Sequence, residues 1–180
     1  MRFVEFLKST VMLSAGAATA LATVTVLAAA SQLGASAQTR LVAIALGWWV
    51  IAALIGAYLG RRADTSPPIA RLLATARAST ALPEHHPGAI LVNRLWPLLV
   101  FTVVAGALAF LAPQIPAIAT GFALIWALAW RRQHAAVTAI EERDGVSFYV
   151  RRTSPLRPIA LDRLPGFKAM RPEPTNGAIP

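Results

Sequence analysis

Charges cut this chain into a few long apolar runs. Thirty-one uncharged residues separate Lys8 from Arg40, twenty separate Arg40 from Arg61, and 36 separate Arg94 from Arg131. An α-helix rises about 1.5 Å per residue, so about 20 apolar residues cross a hydrocarbon core of about 30 Å. The first run, with its apolar body over 11–33, and the second, over 41–60, each predict one membrane span. The third is too long for one span. Pro113 and Pro116 lie in its middle, and each removes a backbone donor and disfavours helix just before it. A helical hairpin is the expected arrangement, with a short second arm at about 115–130. One kinked helix, giving three spans, is the alternative.

Between the second and third runs, residues 69–80 place Ile69, Leu72, Leu73 and Ala76 on one helical face, with Arg71 opposite. That pattern predicts a short helix in the membrane interface, apolar side into lipid. Beyond the last run, 137–142 and 146–151 flank Arg143-Asp144-Gly145. An Asp-Gly pair between alternating segments predicts a β-hairpin, whose second strand sets Val146, Phe148 and Val150 on one face and Ser147, Tyr149 and Arg151 on the other. A further extended piece is expected at 159–161. Some 50 residues with so few large apolar groups do not make a core by themselves, so something has to cover this tail.

Composition agrees with the spans. Of 180 residues, 56% are hydrophobic and 14% charged, against about 25% charged in a soluble chain. Mean hydropathy is +0.57. With no cysteine there is no disulfide, thiolate nucleophile or Cys-held metal. The excess charge is basic, 17 Lys and Arg against 8 Asp and Glu. Lys and Arg are retained on the cytoplasmic side. Four spans with an inside N-terminus leave only Arg40 outside, whereas three spans strand the C-terminal cations outside. The expected fold is therefore an all-α membrane protein with four transmembrane helices in two hairpins, both termini cytoplasmic, and a small β-hairpin in the tail. Its segments are 1–60 (first hairpin), 61–94 (cytoplasmic loop), 95–130 (second hairpin) and 131–180 (basic tail). A cleaved signal peptide ending near Ala35-Ser36-Ala37 competes for the first span, but an apolar body of more than 20 residues favours retention.

Small residues let spans approach closely. Ala52, Gly56 and Gly60 form a ridge at four-residue spacing on the second span, suited to the small-residue-rich first span or to a second copy. Trp96 and Trp130 sit where interfacial anchors are expected, but Trp48 and Trp49 fall mid-span, where an indole N–H needs a partner. Packing explains them; an intramembrane groove lined by Trp48, Trp49 and Trp126 is the sharper alternative.

Chemistry is sparse. No ionisable residue interrupts the spans, which argues against proton or ion coupling. Thr19, Thr23, Thr25, Thr102 and Thr120 are expected to bond their own helices. His85, His86 and His134, with Glu84 or Glu141, are the available metal donors, but adjacent histidines present their rings poorly to one ion, and no metal or other cofactor is expected. Phosphate-cradling loops, nucleophile elbows and HExxH are absent from the sequence. The tail spreads Arg151, Arg152, Arg157, Arg163, Lys168 and Arg171 beyond the reach of topology alone. With Phe148 and Tyr149, the first four are candidate contacts to anionic lipid or a partner. A pI of 11.6 raises nucleic acid, but the tail has no recognition motif.

The stretch Glu141 to Val150, then Thr153-Ser154-Pro155 and Leu164-Pro165-Gly166-Phe167, resembles the tails of uncharacterised, Ala-rich actinobacterial integral membrane proteins. The resemblance covers about a quarter of the chain and implies a cell-envelope membrane protein without assigning an activity. The expected function is a non-enzymatic accessory or scaffold subunit of a plasma (inner) membrane complex, acting through its basic cytoplasmic tail on a membrane-protein partner or as a homo-oligomer. The alternative is a small oligomeric transport or lipid-handling protein built on the Trp groove.

Overall fold

The first helix is longer than a bilayer requires, and the surplus organises the molecule. A computed structural model describes residues 1–32, 34–62, 64–79, 87–151, 153 and 158–165. Its elements in order are α1 (Phe3–Gln32), α2 (Ala35–Leu59), α3 (Pro67–Ala74), β1 (Arg77–Ala78), α4 (Pro87–Ala107) with a 3₁₀ turn (Leu108–Phe110), α5 (Gln114–Trp130), α6 (Gln133–Asp144), β2 (Val146–Val150) and β3 (Leu161–Pro165). Thirty residues of α1 reach about 45 Å. The hydrocarbon core takes about 30 Å of that.

Large exposed apolar side chains mark where lipid lies. Among the described residues they run from Met12 to Leu27 on α1, from Ile44 to Leu59 on α2, from Val92 to Leu111 on α4 and its 3₁₀ turn, and from Ile118 to Trp126 on α5. A soluble surface does not carry so continuous an apolar belt. α1, α2 and the α4 segment through Phe110 are each long and apolar enough to cross a membrane. α5, at 17 residues, is shorter. The turn between α4 and α5 forms where the two prolines predict it, with Pro113 before the first residue of α5 and Pro116 in its first turn, where a missing N–H is harmless. Pro97 sits inside α4, which starts at Pro87 and so takes in Asn93 and Arg94.

α5 is the central helix, with α1 and α2 packed on it. The Ala52, Gly56 and Gly60 ridge is buried, as a packing ridge should be. Its partner, however, is α5 and not α1. A Cβ on Gly56 would lie 2.8 Å from Leu128 Cβ, and one on Gly60 would collide with the Leu128 carbonyl. The reason is length and position: α5 is the short helix in the middle, and both longer hydrophobic helices close on it.

Below the belt, the surplus start of α1 becomes the core of a small cap. Phe3, Val4, Phe6 and Leu7 are buried with Ile69, Ile90, Leu95, Val137, Val146, Phe148, Val150 and Leu161. Two expectations are corrected here. Ile69 is 1% exposed and Leu72, Leu73 and Ala76 pack on the same core, so the apolar face of α3 covers the cap and not lipid. Residues 137–142, expected as a strand, are helical within α6, which stops at Gly145 in the left-handed conformation (φ 63°, ψ 37°). Asp-Gly serves there as a helix stop, since a helix C-cap and a primed turn ask the same positive φ of glycine.

The sheet has the order β1-β3-β2. β2 pairs antiparallel with β3, Phe148 opposite Arg163, and β1 adds in parallel. Within β2 the alternation read from sequence is kept: Val146, Phe148 and Val150 face inward. The outer edge of β2 is met by the N-terminus, where Arg2 bridges Tyr149 and the Val150 N–H donates to the Met1 carbonyl at 3.1 Å. The tail is thus covered within the same chain, by residues 1–7 together with α3 and the start of α4.

Candidate functional site

The cap is held by polar contacts that reach across the whole chain. Arg2 Nη2 donates to Glu141 Oε2 at 2.6 Å, and the Phe148 N–H donates to Oε1 of the same carboxylate at 2.8 Å. Glu141 is 5% exposed, so these bonds compensate a buried charge. Hydrogen bonding to Glu141 raises the Arg2 pKa above the ordinary guanidinium value. At the tail connection Asn93 Nδ2 donates to the Thr153 carbonyl at 3.0 Å, and Arg94 donates to the Thr153 hydroxyl. Gln133 joins α6 to the α2–α3 loop, accepting from the Ser66 N–H at 2.9 Å and donating to the Asp64 carbonyl at 3.3 Å.

The tail residues expected to contact a partner separate into two kinds. Phe148 is 3% exposed and belongs to the core, so it presents nothing outward. Tyr149 is half-buried beside Arg2. Arg151 pairs with Asp162, whose hydrogen bond raises the Arg151 pKa. Arg163 is exposed, as are Arg61, Arg62, Arg71, Arg77, Arg132 and Arg143. Arg143 lowers the pKa of Asp144 through a side-chain hydrogen bond. Arg152, Arg157, Lys168 and Arg171 lie outside the described residues. What remains exposed around the cap is a set of arginines outnumbering the exposed Asp64, Glu142 and Asp144, while the apolar side chains turn inward.

The mid-span indoles are clamps. Trp48 Nε1 donates to the Ile118 carbonyl at 3.2 Å and Trp49 Nε1 to the Ala117 carbonyl at 2.8 Å, so consecutive indoles on α2 reach consecutive carbonyls on α5. Gly121 makes this possible, because a Cβ there would occupy the position of the Trp48 ring. Phe122 meets Trp48 edge-on at 5.8 Å. Trp126 instead stacks on Trp130 at 5.3 Å and lines a separate depression with Phe6, Thr10 and Arg94. The three tryptophans therefore do not line one groove. Trp48 does wall one of about 720 Å³ between α2 and α5, with Arg40 and Gln114 at its outer end. A second apolar groove of about 560 Å³ lies between α4 and α5, lined by Trp96, Phe101 and Phe122 among others.

The five span threonines bond the carbonyls four residues earlier in their own helices, as their position predicts. Glu141 is engaged by Arg2 and Phe148, and His85, His86 and Glu84 lie outside the described residues; among those described, no group of three His, Cys, Asp or Glu gathers to hold a metal. Sequence reading missed α6 as a helix and missed Glu141 as the buried hub. The signal for both was the helix-forming run Ala135, Ala136, Ala139, Glu141 and Glu142 ahead of Gly145. No family model matches the chain, and comparison with curated proteins and with solved structures finds no match.

Proposed function

We propose that the protein is a non-enzymatic, multi-pass component of the plasma (inner) membrane of a cell envelope, with α5 as a fourth, short span and both termini cytoplasmic. In this reading it is an accessory or scaffold subunit of a membrane complex, and its basic cap is the docking face. The observation that carries the reading is the charge asymmetry on a built cap: of the 17 Lys and Arg, all but Arg40 lie before the belt of α1, between the belt of α2 and Leu95 of α4, or after α5. Residues 9–39, 41–60 and 95–130 hold no Asp, Glu, Lys, Arg or His for catalysis or coupling. Burial of Phe3, Phe6 and Leu7 in the cap favours retention of the first span, since its removal would take away part of that core. Because the tail is covered from within, docking falls to the exposed arginines and to anionic lipid beside them.

Gentle-detergent purification of the full chain tests this. A membrane-protein partner should co-purify in fixed ratio and be lost from an Arg71→Glu, Arg163→Glu double variant. Purification of the wild type alone as a monodisperse species would overturn the accessory role. A transport or lipid-handling function has support only from the Trp48 groove, as Trp126 is elsewhere.

A further inference from the structure

The basic cap leaves one cation unexplained. Arg40 is exposed near the start of α2, at the end of the bundle opposite the cap, where Gln32 of α1 also donates to the Ala109 carbonyl before the α4–α5 turn. No Asp or Glu occurs between Glu5 and Asp64 or between Glu84 and Glu141, so that end of the molecule carries an uncompensated positive charge. Among the described residues no carboxylate pairs with Arg40, whose Nε donates only weakly, at 3.4 Å, to the Ser36 carbonyl of its own helix.

Arg40 also stands at the mouth of the α2–α5 groove. The polar groups at that mouth are Arg40 and Gln114; below them the walls are apolar, ending on Trp48. Trp48 lies eight positions beyond Arg40 on the helix, about 12 Å along the axis, which is most of one leaflet's share of a core of about 30 Å. Trp48 is fixed by its bond to Ile118 and by its seat on Gly121, so the floor of the groove is held in place. One cation at the headgroup level, above an apolar channel one leaflet deep, matches an anionic amphiphile.

We propose that this groove binds one anionic phospholipid, its headgroup phosphate on Arg40 and Gln114 and an acyl chain along Ile44, Trp48 and Ile118. The site rests on the spanning topology proposed above and not on the accessory role. It lies on the opposite leaflet from the cap arginines, so the two can fail separately.

Native mass spectrometry of the full-length protein, given phosphatidylglycerol or phosphatidylcholine of matched chains, reads the headgroup preference. Phosphatidylglycerol should be retained about fivefold better. Arg40→Gln should abolish the preference, Arg40→Lys should keep most of it, and an Arg61→Gln, Arg62→Gln variant at the cap end should leave it unchanged. Phosphatidylglycerol brominated along its chain should quench wild-type fluorescence more than that of Trp48→Phe. Equal retention of the two lipids would overturn the proposal. So would a preference that survives Arg40→Gln or disappears with the cap variant, displacement of the lipid by soluble glycerol phosphate alone, or a dimer carrying no lipid. Partner co-purification should be indifferent to Arg40→Gln.

Discussion

Arg2 and Glu141 lie 139 positions apart in sequence and 2.6 Å apart in space. The pair closes the chain on itself: the residue just before the first membrane helix meets the last helix of the cap. Glu141 is the buried member and Arg2 the half-exposed one. Removing Glu141 leaves the buried Phe148 N–H without its acceptor, so Glu141→Ala should cost about 2–3 kcal/mol. Arg2→Ala should cost about 2 kcal/mol, because it leaves the buried carboxylate with the Phe148 N–H as its remaining donor. A double-mutant cycle read by thermal unfolding of solubilised protein checks the coupling. The Arg2 pKa is raised in the fold, so its contribution is present below the ordinary guanidinium value and is lost only as pH rises past it. From about pH 6 to about pH 10 the Arg2 share of the coupling should be flat.

The edge bridge between Arg2 and Tyr149 gives a second expectation. Antiparallel partners stand about 4.5–5.5 Å apart at Cα, within disulfide reach. The natural chain has no cysteine, so Arg2→Cys with Tyr149→Cys should form one intramolecular disulfide in isolated membranes under a mild oxidant. A Lys8→Cys, Tyr149→Cys pair should not. A changed gel mobility that reverses on reduction is the readout.

Gly60 is the tightest point of the α2–α5 contact. Gly60→Leu forces a side chain into the Leu128 backbone and should destabilise the bundle by about 1–3 kcal/mol or more, with loss of monodisperse protein. Gly47→Ala, where a Cβ meets nothing within 4 Å, should be neutral. Because the ridge faces α5 inside the same chain, Gly56→Leu should lower stability without changing the oligomeric state that remains.

What the sequence made legible follows from where one physical effect dominated. Uncharged length located α1 and α2, and the two prolines located the α4–α5 turn, because burying charge and losing backbone donors in hydrocarbon both cost too much to be offset locally. The inward face of β2 was legible from alternation. The partner of the Gly56–Gly60 ridge was not, since any small-residue helix presents the same invitation and only the tertiary arrangement selects α5. The apolar face of α3 was read correctly and its neighbour was not, because lipid and a protein core look alike to Ile69 and Leu72. Asp144-Gly145 misled for a local reason: one left-handed glycine serves two motifs. Gly145→Ala should therefore cost about 1–2 kcal/mol, through the positive φ at the end of α6. Equal stability of that variant in thermal unfolding would argue against the helix stop.

The proposed arrangement of the chain about the bilayer, which puts the basic cap inside and Arg40 alone outside, is tested most directly by single-cysteine labelling on the cysteine-free background. Thr39→Cys, Asp64→Cys and Glu142→Cys are exposed positions, the first beside Arg40 and the other two at the cap. In intact cells, a membrane-impermeant maleimide should label only the cysteine at position 39. Those at 64 and 142 should react once the membrane is opened. Labelling of position 142 in intact cells, or protection of position 39 there, would contradict the account.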